Sequence, residues 1–185
     1  MDCSLLIDRQ LDALSGLAHT LADAGGNTGD RIASREMRDR AAAHFQVREQ
    51  IVLPALRRGG WRGLNNEALA AHVELKRALA ALCICEPGDD DFPRVLHGFA
   101  EALEQQRLAD KLWIVPTLRR VTGEAERRQL CEEIERLYDA TIPPADHYLE
   151  VFPQRKPGQA VIEDAAVVLG SFGQTPEPLP SNAVE

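Results

Sequence analysis

Residues 44–58, "HFQVREQIVLPALRR", combine a histidine, an apolar run, a proline inside an otherwise helical pattern and a pair of arginines. A near copy follows at 105–120, "QQRLADKLWIVPTLRR". Sliding one stretch by 62 positions lays Leu53, Pro54, Leu56, Arg57 and Arg58 on Val115, Pro116, Leu118, Arg119 and Arg120. In that register His44 faces Gln106, Arg48 faces Asp110, and Glu49 faces Lys111. The chemistry on offer therefore differs between the copies. An imidazole ligates metals or carries protons, and a carboxylate ligates hard cations. A guanidinium does neither, but pairs with carboxylates.

Helices must hold these side chains. β-Branched and aromatic residues are sparse, and Ala, Leu, Glu and Arg dominate to about residue 140, which predicts an all-α chain. Leu5, Ile7, Leu11, Leu14, Leu17, Ala18 and Leu21 predict a helix over 4–23 with one apolar stripe. "GGNTGD" ends it, and Asp30 is the expected cap of a second helix over 31–58, with Ile32, Met37, Ala41, His44, Phe45, Ile51 and Val52 inward. A third helix over 65–85 carries Leu69, His72, Leu75, Leu79 and Leu82 on one side until "EPGDDD" breaks it. A fourth over 91–121 carries Val95, Phe99, Leu103, Gln106, Asp110, Trp113 and Ile114 inward. Pro54 and Pro116 predict kinks near the ends of the second and fourth.

Four long helices with short connections predict an up-down-up-down four-helix bundle, since short loops force neighbours antiparallel. An extra C-terminal helix over 123–139, capped by Thr122 with Glu124 and Glu126 in its first turn, completes a helical domain over 1–140. Residues 141–185 form a C-terminal extension, rich in Pro, Gly and Gln and partly an irregular tail, in which "AVIEDAAVVLG" at 160–170 is able to dock.

Composition narrows the function. The formal charge is −8 and the basic residues are scattered as pairs and singles, which argues against a nucleic-acid partner. The stretch "MDCSLLIDRQLDAL" reads as neither signal nor transit peptide. The longest apolar run, "ALAALCIC", is too short to cross a membrane. Cys3, Cys83, Cys85 and Cys131 show no C-x-x-C spacing, which fits a reduced, cytoplasmic setting. Cys83 and Cys85, two apart on a helix, point about 200° apart and do not share a zinc ion.

Two helix pairs related by an internal repeat would set equivalent positions around the bundle centre, where bundles build metal sites. Over residues 4–121 the arrangement resembles the hemerythrin-like family, or HHE cation-binding domain. That family's pattern is a His on the first helix, His-x-x-x-Glu on the second, a His on the third and His-x-x-x-Glu on the fourth, with a proline after each second motif. The resemblance implies two irons bridged by carboxylates, in oxygen binding or in redox, nitric-oxide or iron sensing. His19 in "GLAHTL", His44 in "AAAHFQV" and His72 in "LAAHVEL" match the first three histidines. Arg48 then stands at the first glutamate's place, Gln106 at the fourth histidine's and Asp110 at the second glutamate's, one methylene shorter. Glu49, five residues past His44, lies about 140° round the helix from it and does not restore the set.

A di-iron centre brings at least about +4 into a small buried space, and a guanidinium there repels it. Arg48 can instead replace the cation, pairing with Asp110 across the centre, with Gln106 and the imidazoles as further donors and acceptors. The expected reading is thus an eroded metal site and a non-catalytic regulatory or interaction protein, with a protein partner and no cofactor. The alternative is a sensor holding one iron or zinc on His19, His44 and Asp110, a two-histidine, one-carboxylate set. A third possibility is a small-molecule pocket at the same centre. "GGNTGD" lacks the Gly-Lys-Ser/Thr of a phosphate loop and no G-x-S-x-G is present, so an enzyme is not expected.

Overall fold

The computed structural model describes residues 3–59, 66–144 and 147–148. Among them every regular element is a helix: α1 (Cys3–Thr20), α2 (Thr28–Val47), a π turn (Arg48–Val52), α3 (Leu53–Arg58), α4 (Asn66–Cys83), α5 (Phe92–Ala109), a second π turn (Asp110–Ile114), α6 (Val115–Val121) and α7 (Glu124–Thr141). No described helix is long and apolar enough to cross a membrane. Trp61, Glu150 and the segment 160–170 lie outside the described residues.

The elements bundle because each carries an apolar stripe at helical spacing. Ile7, Leu11, Leu14, Ala18 and Leu21 meet Met37, Ala41, Leu75, Leu79, Phe99 and Leu103 in one core. α4 packs along α5, α1 contacts α2, α5 and α7, and α2 contacts α7.

The 62-residue repeat extends to the backbone. Each half has a long helix, a loop, a second long helix, a π turn and a short helix, and the two π turns occupy equivalent positions. Proline explains them. In a continuous α-helix the Pro54 ring would clash with the carbonyl four residues back and offer it no donor. One extra residue in the turn lets the Leu53 N–H bond the Arg48 carbonyl, and Pro54 then falls in the first turn of α3, where its missing donor costs nothing. Pro116 does the same, with the Val115 N–H on the Asp110 carbonyl. The kinks expected at the prolines are thus widened turns just before them.

The loops repeat as well. Gly26 and Gly88 are equivalent, both have positive φ (83° and 100°), and they pack on one another. A Cβ on Gly26 would stand 2.6 Å from the Pro87 carbonyl oxygen, so only glycine fits.

Several local expectations are corrected. Asn27, not Asp30, caps α2, and Asp30 is its capping-box partner, its Oδ2 accepting from the amides of Gly25, Gly26 and Asn27. Thr122 ends α6 by donating to the Leu118 carbonyl at 2.7 Å, and Gly123 is the N-cap of α7. Leu5, Leu69 and Trp113 are exposed and Ile32 and Val95 only half-buried. For Trp113 the π turn is not the cause, since Ile51, its equivalent in the first π turn, is buried where α7 packs.

Candidate functional site

Within the apolar core His44, Arg48, His72, Gln106 and Asp110 are all at most 5% exposed. Arg48 and Asp110 open the two π turns and meet as an ion pair through Arg48 Nη1 and Asp110 Oδ1, each side chain 1% exposed. Gln106, one turn before Asp110, donates its Nε2 to the same Oδ1 at 2.8 Å. A carboxylate accepting two donors, one charged, is how a buried pair offsets part of its desolvation. Arg48 Nε, Asp110 Oδ2 and Gln106 Oε1 are buried without a protein partner, and ordered water ordinarily meets such atoms.

His44 Nδ1 lies 2.9 Å from Gln10 Oε1. With the amide oxygen as acceptor, Nδ1 carries the proton and Nε2, buried and without a partner, keeps its lone pair. Burial, then the charges of Arg48 and His72, hold His44 well below the ordinary histidine range. His72 Nε2 is 3.0 Å from Glu49 Oε1, which also accepts from Lys76 Nζ at 2.6 Å. Phe45 braces this group, its ring edge-on to His72 and under the Lys76 ammonium at 5.7 Å. Burial lowers His72 more than Glu49 raises it, with Arg48 and Lys76 also lowering it. Burial pushes the Glu49 carboxyl up, but the bonds from His72 and Lys76 outweigh it and hold it below its usual range.

The histidine shifts set a pH dependence. The unfolded chain takes up these protons near pH 6.5 and the folded chain only at lower pH, His44 well below that value. Stability is therefore full above about pH 6.5 and falls as pH drops below it, by up to about 1.4 kcal/mol per pH unit for each histidine. Glu49 adds a further loss below about pH 4.5. Thermal melts between about pH 8 and pH 5 should show this fall, and His44→Gln should flatten it.

His19 does not join the cluster. It follows Ala18, the buried residue of its turn, and so points about 100° away from the buried stripe. It is exposed and lines an open groove of about 530 Å³ with Ala18, Leu96, His97 and Glu104. The first-helix member is instead Gln10, 5% exposed. The 62-residue offset would have found it, because it maps His72 onto Gln10 just as it maps His44 onto Gln106. Lys76 is masked in the same comparison by its apolar equivalent, Leu14. Glu49, set aside because it turns away from His44, meets α4 instead. His97 is exposed, 3.3 Å from Glu101, and His147 is exposed beside Tyr148.

The duplicated positions thus pair Gln10 with His72, His44 with Gln106 and Arg48 with Asp110. In each pair one residue suits a metal and the other does not. Among the described residues no three His, Cys, Asp or Glu side chains are placed to hold a metal ion, and a guanidinium stands among the candidate donors. These residues do not fit a two-iron centre. The fold and site define an all-helical bundle with a buried, ion-paired polar core. No family model matches the chain, and comparisons with curated proteins and with solved structures find no match either.

Proposed function

We propose that the chain is a non-catalytic regulatory or interaction protein, built on an up-down-up-down four-helix bundle of hemerythrin-like type, in which an ion pair replaces the metals. The supporting observation is Arg48, wholly buried on Asp110 at equivalent positions of the two halves. Arginine supplies the positive charge that bound metal would otherwise bring, and it neither ligates nor gives up its proton. The packing of α1 on α2 and of α4 on α5 supports the bundle order. Four buried cysteines without C-x-x-C spacing fit a reducing cytoplasm.

The test is metal content per chain after expression in iron-supplemented medium, with an absorption spectrum. The expected result is no stoichiometric metal. One iron or zinc per chain would favour the mononuclear sensor, and two irons with oxo-bridge bands would overturn the ion-pair reading.

A further inference from the structure

The doubled chain covers its two halves unequally. α7 lies against α1, α2 and the first π turn, with Leu130, Cys131, Ile134 and Tyr138 buried. On that side Thr141 Oγ1 lies 3.3 Å from Gln46 Oε1, and Ile51 is buried. In the second half the places of Gln46, Gln50 and Ile51 belong to Leu108, Leu112 and Trp113. These stand open, Leu108 50%, Leu112 53% and Trp113 38% exposed. In the first half two of the three are polar, Gln46 half-buried and Gln50 exposed, and the apolar one, Ile51, is buried; the second half is apolar at all three and all three are exposed. Adjacent exposed apolar side chains of this size mark a surface made to be covered.

We propose that this face is the interface of an isologous dimer, in which α5 and its π turn lie antiparallel to those of a second copy. Each copy then does for the other's second half what α7 does for the first. Charge selects a second copy and its direction. Glu101 and Glu104 precede Leu108 on α5, 3.3 Å from His97 and 3.6 Å from Arg107, and Lys111 follows Leu108 by less than a turn; Glu101, Glu104 and Lys111 are exposed. Antiparallel copies bring each Lys111 beside the other copy's Glu104, whereas parallel copies set like charges together. The inference does not depend on what occupies the bundle centre.

Sedimentation of the full chain over a range of concentrations tests it. The wild type is expected to be a dimer, and Leu112→Glu a monomer with unchanged helical content, since the site is on the surface. Glu104→Lys should weaken dimerisation at least tenfold, and Glu104→Lys combined with Lys111→Glu should restore it. A wild-type monomer at every concentration would overturn the proposal, as would a dimer indifferent to Leu112→Glu. A Glu104→Lys defect that Lys111→Glu fails to repair would overturn the antiparallel arrangement.

Discussion

Arg48→Ala should destabilise the folded chain by about 3–5 kcal/mol, because it strands the Asp110 carboxylate in a site that is 1% exposed. Asp110→Ala should cost about as much, stranding the guanidinium and removing the acceptor that Gln106 uses. For a chain of this length either loss corresponds to a fall in melting temperature on the order of 10 °C. Combining the two should cost well below the sum of the single losses, since each alone leaves an unpaired buried charge and together they leave none. Replacing the pair by apolar residues of similar size, Arg48→Met with Asp110→Leu, should be close to neutral or stabilising. The measurement is chemical denaturation of the parent, both single variants and both doubles. Single variants that melt with the parent would mean that the pair contributes specificity without stability.

Gln10→His, Arg48→Glu and Gln106→His together should give a chain that takes up two divalent ions. The combination sets imidazoles at all four histidine-type positions of the duplicated pattern and carboxylates at both carboxylate-type positions. Without metal, the new carboxylate faces Asp110 in place of the guanidinium, and like charges held close and buried repel. The triple variant should therefore melt below the parent in chelator and rise when iron(II) or zinc(II) is added, as a ligand that binds only the folded state requires. Metal analysis and melts with and without chelator check both halves of this expectation. A folded triple variant that takes up no metal would show that Gln10, Gln106 and Arg48 do not share one centre with His44, His72 and Asp110. His19 enters nowhere in this design, and His19→Ala should leave the outcome unchanged.

The helices were legible because their apolar residues recur at 3.6-residue spacing, and the observed bounds fall within a few residues of those that spacing predicts. A periodic reading places a stripe but not its edges, and Leu5, His19 and Leu69 are exposed although they lie on helices without a π turn. Nor does periodicity say which neighbour covers a face: Trp113 is exposed, whereas Ile51, at the equivalent position, is buried where α7 packs. The proline that causes each π turn was visible; the form of its accommodation was not. His19 was placed by its type and its position in the helix order, whereas burial follows the stripe beside it. Gln10 carries no chemistry that marks it by residue type, and only the repeat offset to His72 points to it. The cap at Asn27 was obscured by a run of several competent capping residues, Asn27, Thr28 and Asp30.

Both halves carry the widened turn at the same offset, followed by the same proline and the same pair of arginines. Because the halves are two stretches of one chain, their equivalent positions need not match: Arg48 meets Asp110, whereas two identical halves would set like charge against like.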